Sequence, residues 1–158
     1  MTQSNVPILA IDDEANIRTV LERGLARAGY QCVTASSAAQ AVQLLQQDAF
    51  ALVLLDIMMP GKSGIELLFD ITLQYPYTGV IMMTGVADTA TAVKAMRGGA
   101  MDYVTKPFNL DELTIRIEHA LVRRDLLLQN REYQKNLEGM VAERTEQLEQ
   151  RVREVTAL

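Results

Sequence analysis

The feature that most constrains this chain is an alternation. Five short runs dominated by Val, Ile, Leu and Ala are each followed by a longer stretch whose apolar residues return every three to four positions. Short, continuously apolar strands are those covered on both faces, and a strand–helix alternation closes into a parallel sheet flanked by helices. The strand-like runs lie at Val6 to Ile11, Gln31 to Ala35, Ala51 to Leu55, Gly79 to Met83 and Asp102 to Val104. Helical spacing predicts helices over Ala15 to Ala28, Ala38 to Gln47, Ile65 to Gln74 and Thr89 to Arg97, broken at Gly29, Pro60-Gly61, Pro76 and Gly98-Gly99. The expected class is α/β, a doubly wound five-stranded parallel sheet.

Asn109 opens a last helix, with Glu112 three residues on as in a capping box. From there to Leu158 no proline occurs and Gly139 is the sole weak breaker, while Glu, Gln, Arg and Leu take over. About 45 helical residues extend roughly 70 Å, twice the roughly 35 Å width of a 120-residue domain. The tail is therefore expected to project. In steps of seven, Leu113, Ala120, Leu127, Gln134, Val141, Leu148 and Val155 fall in one row, with Asn130, Leu137, Arg144 and Arg151 as its companion. A half-polar heptad seam supports a modest parallel coiled coil in which Asn130 could fix register; the alternative is a solvated single helix that links domains. The division expected is a domain over residues 1–122 and a helical extension over 123–158, a linker to a further module beyond Leu158.

Composition removes several classes. With 158 residues, 49% of them hydrophobic, there is material for one ordinary core and not for two. The net charge of -5 carries no basic patch, so nucleic acid and anionic membranes are not expected partners. One cysteine, Cys32, excludes an internal disulfide and a Cys-rich zinc site, and one histidine, His119, excludes His clusters. The N-terminus lacks the basic start and apolar core of a signal peptide, and no run reaches the roughly 20 apolar residues of a membrane span. A cytoplasmic protein is expected.

In open α/β sheets, ligands bind beyond the carboxyl ends of the strands, where strand order reverses. The first run ends in Asp12-Asp13, the third in Asp56, the fourth in Thr84 and the fifth in Thr105-Lys106-Pro107. Each alone has an ordinary reading: a helix N-cap for the acidic trio at Asp12 to Glu14, turn residues for Asp56 and Thr84. Together they put three carboxylates, a hydroxyl and an ammonium at one edge. Carboxylates about 4 Å apart repel by roughly 1–4 kcal/mol per pair, so either a proton stays or a cation joins them. Few protein oxygens with water completing the shell suit Mg²⁺, with Mn²⁺ as a substitute, better than Ca²⁺. Asp56 is then a candidate nucleophile for an aspartyl phosphate, with Lys106, Thr84 and the Gly85 backbone N–H holding phosphoryl oxygens.

These residues carry a resemblance. Ile-Asp-Asp-Glu at Ile11 to Glu14, Leu-Leu-Asp-Ile-Met-Met-Pro-Gly at Leu54 to Gly61, Met-Thr-Gly at Met83 to Gly85 and Asp-Tyr-Val-Thr-Lys-Pro-Phe at Asp102 to Phe108 make the chain resemble response regulator receiver domains of two-component signalling, from about Pro7 to Leu121. The resemblance implies a flavodoxin-like sheet of order 2-1-3-4-5. It implies that Asp56 takes a phosphoryl group from a sensor histidine kinase or phosphotransfer protein. Asp13, Asp56 and the backbone carbonyl of Met58 would ligate Mg²⁺, with Asp12 acting through water. Lys106 would pair with the phosphoryl group, and the Lys106-Pro107 bond would be cis, aiming the ammonium into the pocket. Thr84 and Tyr103 would be the switch, altering the face made by the fourth helix, fifth strand and fifth helix, and a homodimer through the last helix and that face. Met58 and Val86 border the path of the hydrolytic water; both are apolar, which implies a slowly decaying phosphoryl state. Val-Ala-Glu-Arg-Thr-Glu-Gln-Leu in the tail resembles the helical connectors that precede cyclic-dinucleotide phosphodiesterases or sensor-kinase cores.

Other readings fit less well. A receiver is not an enzyme beyond its own phosphotransfer. An aspartyl-nucleophile phosphatase would need a second Asp where Met58 stands, and a flavin-binding domain would not place Asp12-Asp13-Glu14 in its phosphate loop. A degenerate receiver used as a dimerisation scaffold conflicts with the intact acidic and lysine positions. Gly61-Lys62-Ser63 looks like the end of a Walker loop but has Asp56 where its first Gly belongs. His119 reads as a solvent-facing helix residue, Cys32 as a small buried hydrophobe, and the Met58-Met59 and Met82-Met83 pairs as core and pocket lining.

Overall fold

The computed structural model of the chain describes residues 6–85 and 89–157. Its strands are β1 (Ile8–Ile11), β2 (Cys32–Ala35), β3 (Leu52–Asp56), β4 (Gly79–Thr84) and β5 (Asp102–Thr105). The helices are α1 (Ala15–Arg27), α2 (Ala38–Gln47), α3 (Gly64–Gln74), α4 (Thr89–Arg97) and α5 (Leu110–Thr156). All strand pairs are parallel, in the order β2-β1-β3-β4-β5. This is the doubly wound, flavodoxin-like sheet that the alternation and the resemblance predict.

The period of two within each strand decides which helix packs where. Leu9, Ile11, Val53, Leu55, Val80 and Met82 point to one face and meet Ala41 and Leu45 of α2 and Leu67, Leu68 and Ile71 of α3. Ile8, Ala10, Leu52, Leu54, Ile81 and Met83 point to the other and meet Leu21 and Leu25 of α1 with Leu113, Ile117 and Ala120 of α5. The chain thus leaves β1 toward one face and the adjacent β3 toward the opposite one. A crevice opens between those two strand ends, and Asp12 and Asp56 stand at it.

Helix ends follow local chemistry. The Ser37 and Ser63 hydroxyls accept from the backbone N–H groups of Gln40 and Glu66 and cap α2 and α3. After α1, Tyr30 N–H bonds to Leu25 O while Gly29 takes φ 93, a left-handed stop that favours glycine. At the start of α5, Asn109 Oδ1 accepts from Asp111 N–H at 2.8 Å, and Glu112 faces Arg116. The reciprocal arm of the predicted capping box is therefore replaced by an i,i+4 ion pair.

The chain divides into two compact units, residues 1–124 and 125–158. The second is helix up to Thr156, and its side chains are almost all exposed. Leu113 and Ala120, the first members of the predicted heptad row, are buried in the core of the first unit, so only later members are open to a partner. No helix among the described residues is long and apolar enough to cross a membrane.

Candidate functional site

Asp12 is fully buried just beyond β1, and Asp56, the last residue of β3, is 3% exposed. Asp13 stands beside them on the exposed side, and one oxygen from each of the three carboxylates lies within 4.8 Å of the others. Lys106 reaches in from beyond β5, its Nζ 2.6 Å from Asp12 Oδ2 and 3.3 Å from Asp56 Oδ2. The Lys106-Pro107 peptide is cis, as the resemblance implied. Four residues from three distant parts of the chain thus share one cup.

Backbone donors orient the acids. Asp12 Oδ1 accepts from Glu14 N–H at 2.9 Å, so the acid serves the start of α1 although Glu14 is the N-cap residue. Asp56 Oδ1 accepts from Met58 N–H at 3.1 Å. Beneath them, the Ile57 N–H bonds to Met83 O at 3.0 Å and the Gly64 N–H to Ile57 O at 3.1 Å, tying the loop after β3 to β4 and α3. A Cβ on Gly64 would lie 2.2 Å from Asp56 O, so only glycine fits against the back of this loop.

Burial, with the charge of Asp12 adding to it, raises the Asp56 pKa above the ordinary carboxylate range; Lys106 and the Met58 N–H oppose that shift without cancelling it. Burial works against the charged form of Lys106, but the hydrogen bond to Asp12 and the charges of Asp56 and Asp12 outweigh it and raise its pKa. Three carboxylates facing one ammonium form a set of hard oxygen donors with charge to spare. Such a set suits a hard divalent cation with few protein ligands and several waters.

The other predicted positions are distributed around this cup. Thr84, buried at 7% exposure, ends β4 opposite Thr105 of β5, and Lys106 N–H bonds to Thr84 O. Gly85 follows it, exposed, with open space where a side chain would be. Tyr103 lies outside the cup: 41% exposed, it borders a shallow recess lined by Ala92, Val93, Met96 and Arg97 of α4. Met58 is 74% exposed, so it is not core, unlike the fully buried Met82 and Met83. Val86 lies outside the described residues. Lys62 pairs with Asp70 and Ser63 caps α3, leaving nothing of a Walker loop. His119 is exposed on α5. Cys32 is half-buried, its thiol pushed up to about 12 by burial and the nearby Glu22 charge.

Two contributors escaped sequence reasoning. Arg18 of α1 donates from Nη1 to Asp12 O at 2.7 Å, clamping the backbone that carries the acid. Arg116 of α5 holds both carboxylate oxygens of Asp102 at 2.8 and 2.9 Å, fastening α5 to β5 next to Tyr103. No local motif announces either, because each pairs a helix face with a loop or strand brought alongside only by the fold.

Comparison with known proteins agrees with the geometry. Residues 8–118 match the family described as "Response regulator receiver domain". The "DNA-binding transcriptional regulator NtrC" of Escherichia coli (strain K12) is 40% identical over 114 residues, which are 72% of this chain and 24% of that protein. The chain thus corresponds to about a quarter of that relative's length. Among solved structures, the receiver domain of NtrX from Brucella abortus is 39% identical with a TM-score of 0.70, covering 72% of this chain and 97% of that one. The response regulator protein TrrA from Thermotoga maritima, solved in complex with Mg²⁺-BeF, is 33% identical with a TM-score of 0.67, covering 73% and 98%. With its sheet order, its acidic cup and a family match over most of its length, the chain belongs to the response regulator receiver domains of two-component signalling.

Proposed function

We propose that this chain is a phosphorylation-controlled receiver in which Asp56 is the phosphoacceptor and residues 123–158 form a dimeric signalling helix leading to an output module. The observation that carries the reading is the convergence of Asp12, Asp13, Asp56 and Lys106 at one edge of the sheet. The Mg²⁺-BeF complex of the Thermotoga maritima relative supports it.

The donor is a phosphohistidine of a sensor histidine kinase or phosphotransfer protein. An Asp56 carboxylate oxygen attacks phosphorus, the P–N bond breaks as the P–O bond forms, and the imidazole leaves with a proton. Asp13, Asp56 and the Met58 carbonyl, with Asp12 through water, would hold Mg²⁺, which would offset negative charge at the acceptor. Lys106 then exchanges part of its contact with Asp12 and Asp56 for a phosphoryl oxygen, and the Gly85 N–H and Thr84 hydroxyl take others. Thr84 gains that bond only in the phosphorylated state, and Tyr103 leaves the α4 recess to pack behind it, altering the face made by α4, β5 and α5. This face and the tail bring two copies together. Apolar Met58 and Val86 orient no water, so the phosphoryl group decays slowly. Like most such modules this one works in the cytoplasm, binds neither nucleic acid nor membrane itself, and leaves catalysis to its output partner.

Incubation with Mg²⁺ and acetyl phosphate, followed by a phosphate-retarding gel, tests the chemistry. A retarded band is expected for the native chain, and none for Asp56→Asn or with chelator. Retention of the band in Asp56→Asn would move the acceptor elsewhere. Decay of the band should quicken in Met58→Asn with Val86→Glu.

A further inference from the structure

Two seams along α5 beyond Arg124 share five positions: Asn130, Leu137, Val141, Leu148 and Val155. Between them the path forks between adjacent residues. An uninterrupted heptad takes Gln134, Arg144 and Arg151 at the forks. The alternative takes Tyr133, Thr145 and Val152. The first puts two arginines per chain into the centre of a dimer, each facing its own copy, at the cost of burying unpaired like charges. The second replaces all three polar residues by two apolar ones and a threonine. Its apolar members stand 42–69% exposed in the single chain, so the stripe is unpartnered there.

We infer that the tail pairs with a second copy of this chain as a parallel coiled coil whose heptad frame shifts by one residue across Gly139. This rests on the dimer reading above and specifies its register. From Tyr133 the seam advances by four residues three times in succession, to Leu137, Val141 and Thr145, before steps of three and four resume. Such an insertion relaxes the left-handed supercoil locally. Gly139 lies in the middle of the irregular stretch, with nothing within 4 Å of the position a Cβ would take.

Two further features select a parallel pair. With the frame shifted across Gly139, Asn130 and Leu137 before it and Thr145 and Val152 after it occupy a positions, with Leu148 at d; β-branched a residues with Leu at d, and an Asn at a, favour two parallel strands. Arg144 and Glu149 then take g and e positions and face each other across the dimer, whereas an antiparallel pair sets Arg144 near Arg151.

Single cysteines in the full-length Cys32→Ala chain, oxidised mildly and separated on a non-reducing gel, test the register. Thr145→Cys, Val152→Cys and Tyr133→Cys are expected to cross-link several-fold more efficiently than Arg144→Cys, Arg151→Cys and Gln134→Cys. The reverse preference, or equal yields at neighbours, overturns the frame shift while leaving a dimer. A dimer mass by sedimentation without any cross-link at the shared Leu148→Cys overturns the parallel arrangement. A monomer mass at high concentration, with no cross-link anywhere, overturns the dimer reading itself. Independently, Glu149→Arg should weaken dimerisation by about tenfold, and Arg144→Glu combined with Glu149→Arg should restore it. Failure to restore would place Arg144 in the centre of the dimer, as the uninterrupted heptad requires.

Discussion

At Asp56 the fold works against the ionised acid that the proposed phosphotransfer needs. Its pKa is raised by burial, then by Asp12, so the folded chain binds the proton more tightly than the unfolded one. The stability tied to that proton is complete below the ordinary carboxylate value of 3.8 and is lost as pH rises through the higher folded value. Without divalent cation at neutral pH, Asp56→Asn should therefore raise unfolding stability by about 1 kcal/mol. The gap from the native chain should close as pH falls below 4 in a series of urea titrations. Lys106→Met has the opposite sign. It leaves Asp12 and Asp56 buried without their ammonium and should cost about 3 kcal/mol, a loss that added Mg²⁺ should partly recover in the same titrations. Of this cup, the acids and the lysine were legible as strand-end residues, because an apolar run ending in a charge is visible in one dimension. Arg18 was not, since its contact is with a backbone carbonyl that any residue at position 12 would offer.

Elements repeat the lesson at a larger size. The bounds of α2 and α4 match their hydrophobic periodicity; β3, β4 and β5 run one residue further than expected, where the polar Asp56, Thr84 and Thr105 continue the ladder, and β1 and β2 begin one or two residues later. Gly64 and Gly139, both inside helices, show what periodicity cannot tell. Gly64→Ala drives a methyl group into Asp56 O and the Ile57 backbone and should destabilise by roughly 2 kcal/mol or more. It should also reduce acetyl phosphate labelling by displacing the loop that carries the acceptor. Gly139→Ala meets open space and should stabilise the helix by about 1 kcal/mol, read as higher ellipticity at 222 nm on warming. The two glycines are indistinguishable as letters; their surroundings separate them. The predicted heptad row is shortened for a related reason: counting in sevens does not show where the tail leaves the first unit, and Leu113 and Ala120 belong to that unit's core.

At the scale of the whole molecule, the two units divide between residues 124 and 125. A chain ending at Arg124 should keep the sheet and Mg²⁺-dependent labelling of Asp56 but sediment as a monomer where the full chain sediments as a dimer. The chain continues beyond the family match, which ends at residue 118. The Lys106 contact with Asp12 and Asp56 has one more consequence, for behaviour in brine. Mobile ions screen exposed charges over about 8 Å at physiological ionic strength, so Arg116–Glu112 and the tail's Arg144–Glu149 attraction should fade as sodium chloride rises. The Lys106 contact lies against the buried Asp12 and Asp56 and is screened less. Strong salt should therefore loosen the peripheral ion pairs, and the proposed pairing of tails, first, leaving the acidic cup as the last electrostatic feature to dissolve.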